Sequence, residues 1–257
     1  MDLYIPIGPL LDEISRYLWP FVRIGAFAMV MPVIGGGFVP QHVRLLLALA
    51  MTIVIAPVLA EVPAVDVLSL GGVTLLAREI LTGAAMGFVV QLVFDAVAFG
   101  GQVVAMSMGL GFAVLVDGQR GVNMPVLSQL FLMLAMLVFL AVDGHLALVR
   151  LLADSFVALP MAGSAMVSIP LLLGWSGQLF VVAVLIALPA ITALVIINLS
   201  FGVMSRAAPT LNLFAVGFPA AMLAGFVIIL LGMESLTGNV VRALDAALAT
   251  LSAVIGN

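Results

Sequence analysis

Pro209-Thr210-Leu211-Asn212-Leu213-Phe214-Ala215-Val216-Gly217-Phe218-Pro219 lies between two strongly apolar runs, and its reading decides what kind of molecule this is. Two prolines, a glycine and an asparagine argue against a continuous helix, while the other side chains are too apolar for a surface loop. Lipid cannot satisfy the amides and carbonyls of interrupted backbone, so such a stretch is expected inside protein or along a cavity. A membrane-embedded chain with re-entrant segments follows.

Composition agrees. Hydrophobic residues make up 65% of the 257 and charged residues 8%, against roughly 45–50% and 25% in soluble domains; mean hydropathy is +1.39. The basic residues are all arginine (Arg16, Arg23, Arg44, Arg78, Arg120, Arg150, Arg206, Arg242), scattered singly among twelve acids. Without a basic patch, no nucleic-acid partner is expected. With no cysteine, disulfides, thiolate metal sites, cysteine nucleophiles and thiol lipidation are excluded. The start, Met1-Asp2-Leu3-Tyr4-Ile5-Pro6 followed by Asp12 and Glu13, has no basic region and does not read as a cleaved signal peptide. Single arginines in nearly every connection leave the orientation rule nothing to act on.

Six apolar runs are expected, several short or proline-broken. The first, Leu10 to Val33, is broken by Pro20, and the stiff turn Pro32 to Pro40 follows. Leu45 to Ala60 is next; Glu61 to Gly72 is a polar break. Arg78 to Val116 is long enough for a helical hairpin. Val126 to Val142 is nearly clean. His145 to Leu173, with Leu148, Leu151, Leu152 and Phe156 at helical spacing, reads as an interfacial or re-entrant helix. Leu179 to Val203 is the longest spanning candidate despite Pro189, and Ala220 to Met233 falls short of the roughly 17–25 residues a span needs. In the tail Val240, Val241, Leu244, Leu248, Leu251 and Ile255 share one face, opposite Asn239, Arg242, Asp245 and Ser252. Asn239 reads as an N-cap and Gly256 as the stop. The fold class is all-α: a polytopic membrane protein of kinked, Pro/Gly-broken helical hairpins with re-entrant loops. One domain, 1–257, is expected, with N-terminal hairpins over about 1–142, C-terminal hairpins over about 143–233 and an amphipathic tail over 234–257.

Catalytic chemistry finds little to work with. His42 and His145 sit beside turns, outside any zinc-binding spacing, and Asp143-Gly144-His145 reads as a helix start. Gly174-Trp175-Ser176-Gly177 resembles the serine motif of rhomboid intramembrane proteases, but no histidine follows Ser176. Gly109-Leu110-Gly111 lacks the third glycine of a dinucleotide fingerprint. Arg23, Glu79 and Asp95 fall in or beside apolar runs, where a charge at mid-membrane costs on the order of 2.5–3.5 kcal/mol, so each needs a partner or water. They read as a structural ion pair or an interfacial arginine on one side, and as a proton or ion path on the other. Gly83-Ala84-Ala85-Met86-Gly87 has the spacing that lets helices approach closely. The segment Met106 to Pro125, with Met106, Met108, Gly109, Gly111, Phe112, Asp117, Gly118 and Gly121, is either a hairpin tip or a deformable pore gasket.

Three stretches carry a family resemblance. Phe21-Val22-Arg23-Ile24-Gly25-Ala26-Phe27 with Pro32, Pro40 and Arg44 resembles the start of the FliR family of type III export-gate proteins. Met108-Gly109-Leu110-Gly111-Phe112-Ala113 with Asn123-Met124-Pro125 resembles its central loop. Pro209 through Pro219, including Asn212, Phe214 and Gly217, resembles its C-terminal signature, and Gly217-Phe218-Pro219 is closer to the flagellar than to the injectisome branch. The resemblance implies a subunit assembled with FliP-like and FliQ-like membrane subunits, alongside other export-apparatus proteins, in the flagellar basal body at the bacterial inner membrane. Unfolded flagellar proteins would pass through the gate, the central loop would plug it, and the C-terminal signature would serve subunit packing. No cofactor or metal is implied. The competing readings are a broken-helix transporter of a small solute, with Arg23, Asp95 and the loop around Asn212 as its site, and an intramembrane enzyme, which lacks positioned acids, bases or nucleophiles.

Overall fold

The computed structural model describes residues 7–35, 39–59, 63, 65–66, 69–111, 126–207 and 213–256. All regular elements among them are helical: α1 Ile7–Val30, α2 Pro32–Gly35, α3 Gln41–Ile55 continued by a 3-10 turn Ala56–Val58, α4 Leu70–Ser107, α5 Val126–Ala141, α6 Gly144–Ala158, α7 Ile169–Ser176, α8 Gln178–Ala207, α9 Leu213–Leu231 and α10 Met233–Gly256. The all-α, multi-span expectation holds. Among the described residues four helices are long and apolar enough to cross a membrane, or five if the α5–α6 pair counts as one broken span.

Two compact units make up the chain. Unit 1 comprises Met1–Gln91, Gly144–Ser176 and Ala246–Asn257, and unit 2 comprises Leu92–Asp143 and Gly177–Asp245. In unit 1, α1 buries Trp19, Arg23, Ile24, Phe27 and Ala28, the i, i+4, i+8 stripe of an amphipathic helix. α6 answers with Leu148, Leu152, Ser155 and Phe156. α3 packs on α1 but buries only Ala48 and Thr52, leaving Leu45, Leu46, Leu49, Ile53 and Val54 exposed. In unit 2, Phe94 meets Phe139 edge to face with centroids 5.6 Å apart, and Phe99 meets Phe180 in the same way at 6.2 Å. α8 turns small residues, Ala183, Ala187 and Ala190, inward.

Several sequence expectations need correction. α1 runs unbroken through Pro20 and α9 through Pro219, so the latter half of the Pro209–Pro219 stretch is helix, while α8 contains Pro189 as expected. Proline deletes one hydrogen bond and bends the axis, and in an apolar bundle neighbouring helices make this tolerable. α9 therefore has 19 residues, above the fourteen counted from Ala220. Over the described part of the Arg78 to Val116 run there is no hairpin up to Ser107: α4 is one helix of 38 residues, roughly 57 Å at 1.5 Å per residue, and it displaces α8 as the longest described helix. Ser69 caps it, its Oγ accepting from Gly72 N at 3.0 Å. The His145 to Leu173 run is two helices, α6 and α7, with a non-helical connection between them. Asn239 is no N-cap either, since α10 begins at Met233 with Glu234 in its first turn, an acid that suits the positive end of the helix dipole. Asn239 Oδ1 instead accepts from Arg242 Nη2 at 2.7 Å. Gly256 does end the helix.

Candidate functional site

Two places gather the polar and irregular residues, one in each unit. The first starts from glycine. Gly83 and Gly87 lie one turn apart on α4, against α1: a Cβ on Gly83 would overlap the Arg23 carbonyl oxygen, and one on Gly87 would come 2.8 Å from Val30 Cβ. The small-residue spacing thus lets the two backbones touch, and this brings Arg23 of α1 to Glu79 of α4.

Arg23 Nε donates to Glu79 Oε2 at 2.6 Å and Nη2 to Oε1 at 3.1 Å, the bidentate geometry of a strong charge-assisted pair. The remaining N–H groups reach α6 and the residue after it: Nη1 donates to Ser155 O at 2.8 Å and Ser155 Oγ at 3.3 Å, and Nη2 to Leu159 O at 2.8 Å. All five donors of the guanidinium are used. The Phe156 ring lies 4.3 Å from Cζ, and the pair is sealed, with Arg23 1% and Glu79 0% exposed. Arg78, one residue before Glu79, donates to the carbonyls of Pro160, Met161 and Gly163, and its Nη2 lies 3.5 Å from Glu79 Oε1. Two arginines therefore add donors to the carbonyls at the end of α6 and in the next turn, where the helix dipole is negative, Ser155 O and Pro160 O also accepting from Leu159 N and Gly163 N, and one carboxylate balances them. Asp95 stands apart in unit 2, exposed on α4 and with an interaction of its own.

Other residues of unit 1 that the sequence singled out make local contacts. Pro32 opens α2 and is buried; Pro40 precedes α3 and accepts at its carbonyl from the N–H groups of Val43 and Arg44; Arg44 Nε donates to Val39 O at 3.0 Å. Trp175, in the run that resembled a protease motif, donates from Nε1 to Val89 O at 2.9 Å.

The second place is in unit 2. A cavity of about 300 Å³ is lined by Met106, Ser107, Met108, Gly109, Asn198, Phe201, Gly202, Gly217, Phe218 and Ala221. It joins the head of the central segment to the C-terminal signature, two stretches more than a hundred positions apart in the chain. Gly217 and Pro219 sit within α9, Gly217 half-buried and Pro219 exposed; Phe214 belongs to the first turn of α9. Gly111 follows the turn at Met108–Leu110 and is half-buried. Phe112, Asp117, Gly118, Gly121, Pro209 and Asn212 lie outside the described residues. Among the described residues, no three of His, Asp and Glu gather as a metal site.

Sequence reasoning picked out Arg23 and Glu79 but missed Arg78, Ser155 and Phe156. A signal for Arg78 existed in its adjacency to Glu79. The α6 carbonyls left none, because they carry no side-chain identity.

The chain matches the model of the family described as bacterial export proteins, family 1, over residues 14–247. It is 40% identical over 219 residues to the flagellar biosynthetic protein FliR of Escherichia coli (strain K12), covering 84% of this chain and 83% of that protein. To the flagellar biosynthetic protein FliR of Pectobacterium carotovorum subsp. carotovorum it is 37% identical over 218 residues, 84% of this chain and 83% of that one. The protein of the same description in Bacillus subtilis (strain 168) is 24% identical over 234 residues, 89% and 90% of the two chains. With matched positions running through both the buried ion pair and the cavity, the chain belongs to the FliR family of bacterial export proteins.

Proposed function

We propose that this chain is a subunit of the flagellar type III export gate in the bacterial inner membrane, where with FliP-like and FliQ-like subunits it forms the pore for unfolded flagellar proteins. The observation that carries this reading is the family match across 14–247, with the flagellar names of its relatives favouring that branch over the injectisome. The exposed apolar faces of α3 and α8 suit a chain surrounded by lipid and unlike subunits. In this reading 1–257 acts as one gate domain and the central segment, from Met106 and Met108 through Gly121, is the plug. Apolar residues seal the resting pore, an entering polypeptide displaces them, and energy comes from partners, since no phosphate-binding loop is present in the sequence. No catalytic step is assigned to the chain. The solute-transporter alternative loses Arg23 as a substrate ligand, because all its donors are engaged within the chain.

Co-expression of the tagged chain with FliP-like and FliQ-like subunits, followed by native mass spectrometry, tests the assembly. A complex of unlike subunits is expected; a monomer or homo-oligomer indifferent to both would sink the reading. Within such a complex, deleting Gly111 to Gly121 is expected to preserve assembly and raise ion conductance of the membrane at least about tenfold. An assembled, ion-tight deletion would remove the plug from this segment. Substituting Asn212 or Gly217 is expected to lower the yield of complex, and normal yield from both would argue against a packing role for the signature.

A further inference from the structure

The turn that ends α4 contains an arrangement that the export reading does not assign. Met106 and Met108 are two residues apart, yet Met106 is 59% exposed and Met108 1%. The cause lies on α9. A Cβ built on Gly225 would stand 2.6 Å from Met108 Cγ and Cε and 2.7 Å from Sδ, so the Met108 thioether fills the notch that the missing side chain leaves. One residue on, Gly109 has φ +82°, and a Cβ there would stand 2.9 Å from Phe218 Cε2. The aromatic ring closes over it.

Phe218 and Gly225 are seven residues apart, two turns along one face of α9. Two consecutive turn residues therefore key into two positions of the same helix face, methionine into glycine and phenylalanine onto glycine. Each contact needs a glycine on one side, and neither tolerates a larger residue without backbone or side-chain displacement. The cavity of about 300 Å³ adjoins both contacts, its walls including Met108, Gly109 and Phe218. Methionine is unbranched and changes rotamer readily, so Met108 can leave the notch for that space without moving either helix.

We propose that Gly225 and Phe218 are positioning residues for the central segment: with Met108 and Gly109 they form a two-point latch that holds its stem on α9, and export requires Met108 to leave the Gly225 notch. This rests on the export-gate reading and names how that site is held. Packed contacts of this kind have discrete alternatives rather than a continuum, so the latch is either seated or released.

The native chain has no cysteine, so a chain carrying both Met108→Cys and Gly225→Cys has one possible disulfide. Cells lacking their own copy, carrying this variant in the assembled complex, are oxidised and then reduced while export of flagellar proteins is followed. The disulfide is expected to form, and export in the oxidised state is expected to fall at least tenfold below that of the same cells after reduction. Unchanged export with the disulfide formed overturns the latch, as does failure of the two cysteines to join in assembled complex. If the cysteine-free parent does not restore export, the export reading itself falls and takes the latch with it, an outcome separate from a parent that exports and a lock without effect. Should the double variant not assemble, Met108→Ala empties the notch without crowding it: at least tenfold higher ion conductance of assembled complexes is expected, and an ion-tight result overturns the proposal.

Discussion

Glu79→Ala is expected to destabilise unit 1 by about 3–5 kcal/mol, the range for removing one partner of a buried pair. The cost comes from what remains. Arg23 would keep its charge in a place 1% open, with Arg78 close behind it and no carboxylate to balance either. Against a typical total of about 5–15 kcal/mol, such a loss takes away a large share of the folded population. Arg23→Leu is expected to be nearly as severe, because it leaves the buried Glu79 carboxylate only the longer contact to Arg78 Nη2 at 3.5 Å and takes from Leu159 O the donor that Arg23 Nη2 supplies. The double variant, Leu at both positions, is expected to lose less than the two single effects added together, since neither member of the pair is left behind and Arg78 keeps its carbonyl partners. The Leu159 carbonyl left without Arg23, at about 1–3 kcal/mol, keeps it below the parent. Both tryptophans of the chain, Trp19 and Trp175, are buried in unit 1, so their fluorescence during denaturation in detergent reports this directly. Additive single and double effects would show that Arg23 and Glu79 do not act as a pair.

Gly83→Ala comes second in expected size. A methyl group there would meet the carbonyl oxygen of Arg23, which is backbone and cannot rotate away. The helices must part, loosening the same ion pair, and a loss of about 3 kcal/mol, the upper end for overpacking, is expected. Gly25→Ala, on α1, supplies the contrast: a Cβ there has nothing within 4 Å. Helix propensity then acts alone and a gain of up to about 1 kcal/mol is expected. Equal unfolding midpoints for the two variants would disprove close contact at Gly83.

The two predictions differ in how readable they were. The glycine spacing at Gly83 and Gly87 was visible because helix geometry converts a four-residue interval into one face. That this face meets α1 and not another helix was not visible. Arg23 and Glu79 stood out because isolated charges in apolar runs demand partners, yet their pairing spans 56 positions and the Ser155 contact 132. No local pattern reports such distances. Helix boundaries suffered most at prolines: Pro20 and Pro219 were weighed as breaks by their local cost, and packing overrode them, whereas Pro189 was already read as lying inside a span. The residues of the cavity were named separately, Met106 and Met108 in one motif and Gly217 in another, while Gly225 passed unnoticed as a single glycine in an apolar run.

Composition and periodicity alone determined that this is an all-helical membrane chain without cysteine, metal-site spacing or a basic surface, because solvent preference is a sum over residues and needs no coordinates. Motif resemblance added the family. The tertiary structure decided which prolines sit inside helices, which carbonyls Arg23 and Arg78 close, and which glycine receives Met108. Those outcomes depend on contacts between segments far apart in sequence, where the balance is set by shape and by unsatisfied backbone groups, not by the residues nearby.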